Sequence, residues 1–136
     1  MTTTKDLLMR ARVIAVVGCS DKPWRDSHRI AAYLQASGYV VYPVNPALDT
    51  VLGVKCFPSV QAIPEKVDIV DVFRNPVYVP EIVEDAIAAG AGAIWLQLGV
   101  THPEAEKRAA AAGLDVVSDL CIAVEHRLDG IPHKGE

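Results

Sequence analysis

Short apolar runs alternate with amphipathic helical patterns along the whole sequence, and this alternation constrains the fold more than any other feature. Several of the runs are almost continuous in β-branched residues, which is typical of strands buried on both faces of a sheet. We predict five such strands: Val13 to Val17, Val40 to Val44, Val67 to Phe73, Ala93 to Leu98 and Asp115 to Val117.

Helix start and stop signals lie between the predicted strands. A short helix is predicted near Thr4 to Arg10, before the first strand, and the helix after that strand ends at Gly38. The next helix begins near Pro80, which suits a first helical position, and ends at Gly90. The apolar stripes of these two helices are Ile30, Ala31 and Leu34, and Ile82, Val83, Ala86 and Ile87.

Two further helices are predicted towards the end of the chain. Thr101 and Glu104 form a capping box for the fourth helix. Asp119 is expected to cap the last helix, which runs to about Leu128, with a frayed tail beyond it. Alternating strands and helices predict an α/β protein with a parallel sheet of about five strands, doubly wound and Rossmann-like. Since no linker or repeat interrupts the pattern, we expect one domain over residues 1–136, with its core at 12–128.

Composition excludes several classes of protein. A net charge of −4 argues against general nucleic-acid binding, which depends on Lys and Arg contacts to phosphate. The three cysteines fit no zinc spacing, so we expect free thiols, no metal site and a cytoplasmic location. The apolar run after Arg12 is too short for a signal peptide, and no run is long enough to span a membrane.

The ends of the predicted strands are the candidate site segments. In doubly wound sheets, ligands bind outside the carboxyl ends of the strands. These ends read "GCSDK", "PVNP", "FRNP", "QLGV" and "SDLC" in chain order.

The first of these segments has the composition of a phosphate-binding loop. Gly18 permits a sharp turn and a close approach of the backbone to a ligand, and Ser20 adds a hydroxyl group. Lys22 and Arg25 follow before the helix, whose N-terminus favours an anion. Two residues could cap that helix: Asp26 and Ser27. A plain turn with solvated charges would have the same sequence.

The dinucleotide fingerprint is missing from this loop. An NAD site needs three glycines after the first strand and an acidic residue at the end of the second. The loop has one glycine, and Asn45 stands where the carboxylate would be needed. An NAD(P)-binding or redox-sensing domain therefore stays only as an alternative.

Together, these segments resemble a known family. "VVGCSDKPWRDSHRIAAYL", "GYVVYPVNP", "LGVKCFPSV", "VDIVDVF", "AIWLQLGV" and "DLCIAVE" occur in order from Arg12 to Glu125. The pattern is similar to that of small single-domain CoA-binding proteins, which resemble the N-terminal CoA-binding domain of the succinyl-CoA synthetase alpha subunit. The resemblance implies that coenzyme A or an acyl-CoA is the ligand.

The resemblance also implies a role for each matching segment. The first-strand loop would hold the pyrophosphate through Gly18, Cys19, Ser20 and Lys22, and the second strand end would line the adenosine through Val44, Asn45 and Pro46. Phe73 and Arg74 would close over the nucleotide, and Gln97, Leu98 and Gly99 would lie along the ligand path. The synthetase has a lysine after the second strand where this chain has Ala47 to Asp49, and Lys55 could replace its charge. Arg25 is the other cation that we expect near the ribose phosphate.

Catalysis is not implied by the resemblance. The synthetase reaction uses a phosphorylated histidine from a second domain, and no such domain follows in this sequence. We expect the four histidines, His28, His102, His126 and His133, to be solvated or to cap helices. We therefore expect a CoA-binding module without catalysis of its own, with a protein partner or homo-oligomer left open.

Two side-chain groups could still support chemistry. Cys121 is the best candidate nucleophile, because it follows Asp119 at the start of the last helix and such a position can lower a thiol pKa. A buried structural cysteine is the alternative. Asp68 and Asp71 alternate with apolar residues, and we expect solvated or capped carboxylates near the sheet end rather than a catalytic pair.

Overall fold

A five-stranded parallel sheet forms the centre of the structure, a computed structural model that describes residues 2–134. The strands are β1 (Val13–Val17), β2 (Val40–Val44), β3 (Thr50–Val51), β4 (Val54–Lys55), β5 (Ile69–Val72), β6 (Ala93–Leu96) and β7 (Asp115–Val117). The sheet has the order β2-β1-β5-β6-β7, and β3 pairs with β4 in a separate antiparallel hairpin. The predicted α/β fold is confirmed, whereas the hairpin was not predicted and β5 and β6 are shorter than expected.

The strand order determines where a ligand can lie. After β2 the chain crosses back over β1 and forms β5 on its other side. Strand β1 therefore pairs with both β2 and β5: Val17 lies opposite Val44 on one side and Val72 on the other. Adjacent β-strands whose following connections leave in opposite directions open a crevice at their carboxyl ends. That crevice lies between β1 and β5.

Helices cover both faces of the sheet. They are α1 (Thr4–Arg10), α2 (Asp26–Ala36), α3 (Val79–Ala88), α4 (Pro103–Ala111) and α5 (Ile122–Leu128), with a 3₁₀ turn at Pro76–Tyr78 before α3. Helices α3 and α4 pack on one face, and α1, α2 and α5 on the other. Side chains alternate along each strand, so neighbouring residues such as Ile69 and Val70 belong to opposite core layers.

Helix α1 begins at the predicted residue because the side chains of Thr3 and Asp6 both cap its N-terminus. The Thr3 Oγ1 atom accepts a hydrogen bond from Asp6 N at 3.0 Å, and Thr3 N donates to Asp6 Oδ2 at 3.0 Å. This reciprocal pair satisfies two backbone groups that a helix start otherwise leaves free.

The predicted caps of the last two helices were wrong. Helix α4 begins one residue later than expected because Pro103 occupies its first position and keeps His102 extended. His102 is therefore the cap: its Nδ1 accepts a backbone N–H at 3.2 Å, and Glu106 Oε2 accepts from its N–H at 2.8 Å. The proposed pair of Thr101 and Glu104 does not form.

Asp119 does not cap helix α5. It adopts a left-handed conformation with φ of 58°, and its Oδ1 accepts a hydrogen bond from Gly99 N at 2.7 Å. The N-cap is Cys121, which makes no side-chain capping bond. Asp119 thus ties the loop after β6 to the loop after β7.

The tail after α5 is packed rather than frayed, up to the last described residue. Ile131 is buried, and Lys134 N donates to Ser37 O at 2.9 Å. Gly38 lies against this segment, and a Cβ atom there would be 2.0 Å from Lys134 O. The frayed-tail prediction was wrong for residues 129–134, because an apolar residue and a backbone hydrogen bond fix them to the fold.

His126 is buried and not solvated, contrary to expectation. Its Nδ1 lies 2.6 Å from the Tyr33 hydroxyl, and its ring packs edge-on against Tyr33 and Tyr39. Burial is the main cause that lowers the pKa of His126, and the neighbouring Lys134 lowers it further. His126 lies on the buried face of α5, together with Ile122 and Ala123.

The two aspartates that flank and enter β5 have opposite environments. Asp68 Oδ2 accepts hydrogen bonds from Arg12 N at 2.8 Å and Val13 N at 2.9 Å, so it is a capped carboxylate, as we expected. Asp71 is completely buried, so that part of the expectation was wrong. Within residues 2–134 neither of its carboxyl oxygens has a hydrogen-bond partner, and burial raises its pKa well above the usual value.

Candidate functional site

Two clefts open at the carboxyl edge of the sheet and meet at Gly18 and Asn45. The α2 cleft has a volume of about 610 Å³ and is lined by Gly18, Ser20, Asp21, Lys22, Trp24, Arg25, Asp26, Ser27, Asn45, Ala47, Leu48 and Phe73. The α3 cleft has a volume of about 320 Å³ and is lined by Val17, Gly18, Val44, Asn45, Pro46, Pro58, Ser59, Arg74, Glu81, Ile82 and Asp85. Both open at the switch point between β1 and β5.

Gly18 is at the junction of the clefts, and the backbone there requires glycine. Its φ is +83°, and a Cβ atom would lie 2.9 Å from Phe73 O and 3.0 Å from Arg74 Cδ. Its N–H donates to Val44 O at 2.9 Å. The loop therefore packs backbone to backbone between the ends of β2 and β5, which leaves room for a ligand above it.

The rest of the loop is held by its own side chains. Ser20 N donates to Ser27 Oγ at 3.0 Å, and Lys22 N donates to Ser20 Oγ at 3.0 Å. Ser27 is buried and supports the loop, so neither it nor Asp26 caps α2 as predicted. The N-cap of α2 is Arg25, which makes no side-chain capping bond. The first N–H groups of α2 are thus left for water or an anion.

Asn45 joins the ends of β1 and β2. Its Nδ2 donates to Cys19 O at 3.0 Å, and its Oδ1 accepts from Ala47 N at 3.0 Å. A carboxylate at this position could not donate to Cys19 O. Asn45, which stands where an NAD site has a carboxylate, therefore also holds the loop after β1 against the loop after β2.

The four candidate cations are not equally close to the clefts. Lys22 and Arg25 line the α2 cleft, and Arg74 lines the α3 cleft with its guanidinium 4.1 Å from the centre of the Tyr78 ring. Lys55 is on β4 with its Nζ 5.4 Å from the centre of the Phe57 ring, and it lines neither cleft.

Acidic groups are distributed differently between the clefts. In the α2 cleft, Asp26 pairs with Arg29, and Asp21 lies 3.8 Å from the Lys22 ammonium. Arg25 makes no ion pair within the described residues. The α3 cleft contains the carboxylates of Glu81 and Asp85.

Several predicted contact residues lie outside the clefts. Cys19 is buried, and burial raises the pKa of its thiol to about 12, which makes it a poor nucleophile. Gln97 is also buried, and its Oε1 accepts from Ile122 N at 3.0 Å, so it supports the start of α5. Leu98 and Gly99 are exposed beyond β6. The remaining predicted residues, Val44, Pro46 and Phe73, do line a cleft.

One wall of the α3 cleft was not predicted from the sequence. Pro58 and Ser59 come to the sheet edge because Phe57 forms a bridge with Val44 after the β3–β4 hairpin, and no local pattern signals that bridge. Glu81 and Ile82 could have been found, because a helix that follows the third strand of the sheet begins at this same edge. Trp24, which is 70% exposed at the α2 cleft, was also missed.

Cys121 is expected to be the first cysteine to react with an alkylating agent at neutral pH. It is partly exposed, whereas Cys19 and Cys56 are buried and burial raises the pKa of both thiols. Intact-protein mass spectrometry after brief iodoacetamide treatment, followed by peptide mapping, measures the order. Labelling of Cys121 only after denaturation would show that it is a structural residue; it lines neither cleft.

Neither a membrane span nor a metal centre is found in the described part of the chain. No helix there is long and apolar enough to cross a bilayer. No three His, Cys, Asp or Glu side chains there come together as a metal site would require.

Comparison with known proteins identifies the family. The profile of the CoA-binding domain matches residues 12–127. The uncharacterized protein YneT of Bacillus subtilis is 41% identical over 122 residues, with 90% of each chain covered. A solved structure of a hypothetical protein from Pyrococcus horikoshii superimposes with a TM-score of 0.89 at 45% identity, covering 93% of this chain and 92% of that one.

A larger enzyme shares the same unit. The ADP-forming acetate–CoA ligase II of Archaeoglobus fulgidus is 32% identical over 105 residues, which are 75% of this chain but only 16% of the ligase. The similarity is therefore to one part of that enzyme. The family profile matches most of the length of this chain, and the parallel sheet and the one-glycine loop agree with that match. The chain therefore belongs to the CoA-binding domain family.

Proposed function

We propose that the protein binds coenzyme A or an acyl-CoA at the carboxyl edge of the sheet, with the phosphates over the Gly18 to Lys22 loop. The observation that carries the proposal is the α2 cleft. It combines a glycine turn without room for a Cβ atom, a helix N-terminus without a side-chain cap, and two cations. Backbone N–H groups and a positive helix end are suited to phosphate oxygens.

The same features favour CoA over NAD. NAD sites hold the adenosine ribose with a carboxylate at the end of the second strand. Here Asn45 occupies that place and its amide bonds the loops together. CoA carries an additional ribose phosphate, for which Lys22 and Arg25 are nearby cations.

We propose that binding, without a reaction of its own, is the function of this chain. Among the described residues, those that line the two clefts include neither cysteine nor histidine. Any group transfer at the CoA thiol would then depend on residues outside the two clefts. Mass spectrometry of the small molecules that copurify with the protein would distinguish free CoA from an acyl-CoA.

CoA is expected to bind about tenfold or more tightly than dephospho-CoA, and NAD more weakly than either. A hydrogen bond between a charged group and phosphate contributes about 1.5–3 kcal/mol, and about 1.4 kcal/mol corresponds to tenfold in affinity. The substitution Arg25→Ala should remove most of the preference for CoA and leave dephospho-CoA binding almost unchanged. Isothermal titration calorimetry with the three ligands at one salt concentration measures these ratios.

Lys55→Ala is the matched control, because it removes an equal charge outside both clefts. An effect of Lys55→Ala that exceeds that of Arg25→Ala would transfer the phosphate contact to the β3–β4 hairpin. NAD binding as tight as that of CoA would contradict the proposed function.

A further inference from the structure

His126 lies where helix α5, helix α2 and the tail, residues 129–134, pack together. Its side chain is buried, and its ring centre is 5.3 Å from that of Tyr33 on α2 and 5.8 Å from that of Tyr39, just before β2. None of these residues lines either cleft. The cluster is therefore separate from the proposed ligand site.

Only one ring nitrogen of His126 has a hydrogen-bond partner among residues 2–134. Its Nδ1 lies 2.6 Å from the Tyr33 hydroxyl, whereas its Nε2 is buried without a partner. A neutral imidazole carries one N–H group, but an imidazolium carries two and needs an acceptor for each. Protonation in the packed state would therefore bury a charged N–H group that has no acceptor, and such a group costs more than an ordinary missing hydrogen bond.

The charges around His126 also oppose its protonation. Burial is the main cause that lowers its pKa, the cations of Lys134 on the tail and Arg127 on α5 lower it further, and only the carboxylate of Asp129 acts in the opposite direction. Within the described residues, α1, α2 and the start of β2 present no charged side chain that acts on it. The titratable groups that they present are the hydroxyls of the two tyrosines.

The two tyrosine rings do not compensate for this repulsion. The Arg127 guanidinium lies 4.9 Å from the centre of the Tyr33 ring, and the Lys134 ammonium lies 5.2 Å from the centre of the Tyr39 ring. Each ring thus already interacts with a cation. A positive charge on His126 would be added beside two existing ones.

The tail is attached to the fold next to His126. Ile131 is buried, and its N–H donates to His126 O at 3.3 Å. Lys134 N donates to Ser37 O at 2.9 Å, and the Lys134 ammonium donates to Met9 O. A short segment that is fixed by one buried apolar side chain and a few hydrogen bonds can open while the rest of a fold stays intact.

We propose that His126 controls an acid-sensitive latch: its protonation releases the tail from α1 and α2, while the sheet and both clefts stay folded. In the open state water supplies the acceptor that Nε2 lacks in the packed state. The packed state is most stable above the unfolded pKa of about 6.5, and it loses stability as the pH falls from there towards the lower folded-state pKa. Each pH unit in that range should increase the population of the open state by up to about tenfold.

Amide hydrogen exchange measured by NMR between about pH 5 and pH 8, and corrected for the intrinsic pH dependence of exchange, tests the latch. Protection of the Ile131 and Lys134 amides should fall below about pH 6.5, by up to about tenfold per unit. The Gly18 amide, which donates to Val44 O where the clefts meet, should keep its protection. The midpoint of the loss should coincide with that of the His126 ring titration in the same spectra.

Two variants without a titratable ring, His126→Gln and His126→Phe, should lose the pH dependence. Glutamine can keep a hydrogen bond with Tyr33, and phenylalanine keeps a flat ring between the tyrosines. The matched control is His133→Gln, because it removes an exposed histidine from the same tail. This control should open with acid as the wild type does.

Three results would overturn the inference: constant protection of the Ile131 and Lys134 amides over the whole pH range, a pH dependence that persists in His126→Gln or His126→Phe, or an equal loss of protection at Gly18, which would mean that the whole fold opens. If neither variant folds, the wild type decides, since a loss of protection whose midpoint differs from that of the His126 ring also contradicts the latch. No arm uses CoA, so the result is independent of the proposed function.

Discussion

Replacing Asp71 with asparagine is expected to stabilise the protein at neutral pH. Asp71 is completely buried on the central strand β5, and both oxygens lack a hydrogen-bond partner among the described residues. Burial raises the pKa of the folded-state carboxyl, whereas in the unfolded chain the pKa is about 3.9. At neutral pH the Asp71 carboxyl is therefore ionised readily in the unfolded chain, where water solvates its charge, and not in the folded core. This difference favours unfolding.

The sign of the pH dependence follows from the raised pKa. The contribution of Asp71 to stability is largest below the unfolded pKa of about 3.9 and declines as the pH rises towards the higher folded-state pKa. Each unit between the two pKa values corresponds to about 1.4 kcal/mol. A gain of about 1 kcal/mol raises the melting temperature by roughly 2–8 °C in domains of 60–250 residues.

Urea denaturation at pH 4 and at pH 7 measures this effect. Asp71→Asn should gain stability over the wild type mainly at pH 7, and the difference should narrow at pH 4. Asp68→Asn is the control, because that carboxylate accepts two backbone N–H groups at the start of β1 and its charge is not buried. A loss of stability in Asp71→Asn at both pH values would show that the buried carboxyl makes a stabilising interaction.

The substitution Gly18→Ala is expected to remove measurable CoA binding and to destabilise the fold. A residue other than glycine in the left-handed region costs about 1–2 kcal/mol. The added Cβ would also meet Phe73 O, a backbone atom, at 2.9 Å. The backbone that follows β5 cannot move without disturbing the sheet. The loop that begins at Gly18 should therefore shift away from β5 and into the space where the two clefts meet.

Gly99→Ala separates the backbone effect from the steric one. Gly99 has the same φ of +83°, but a Cβ atom added there would have no heavy atom of the described residues within 4 Å. The Gly99→Ala variant should therefore lose only the stability that the left-handed backbone conformation costs. It should still bind CoA, because Gly99 lines neither cleft. Equal stability losses in the two variants, together with intact CoA binding in Gly18→Ala, would contradict the close packing of the loop.

The parts of the fold that depend on local pattern were predictable. Strand β1 and helix α1 have the predicted bounds, because an almost continuous β-branched run and a Thr3–Asp6 capping pair are local signals. The sharp glycine turn after β1 was also located correctly, since a glycine after a buried strand has few other uses in a parallel sheet.

The environment of polar side chains was less predictable. Asp71 and His126 belong to residue types that are usually exposed, and their burial depends on residues distant in sequence, such as Trp95 and Tyr33. The cap of α4 depends on Pro103, a competing local signal that overrides the Thr101 pattern. Pro58 reaches the site only through a hairpin of two-residue strands, too short to leave a periodic signal.

The packing of the tail against α1 has a practical consequence for attachment of the protein to a surface. Thr4 Oγ1 donates to Asp129 Oδ2 at 2.9 Å, and the Lys134 ammonium donates to Met9 O, so the two described ends lie side by side. Lys134 also bonds Ser37, just before β2 begins, which is the amino edge of the sheet. A tether attached beside Thr4 or Lys134 would leave from the edge opposite both clefts, and a protein immobilised there would keep its ligand site open to solution.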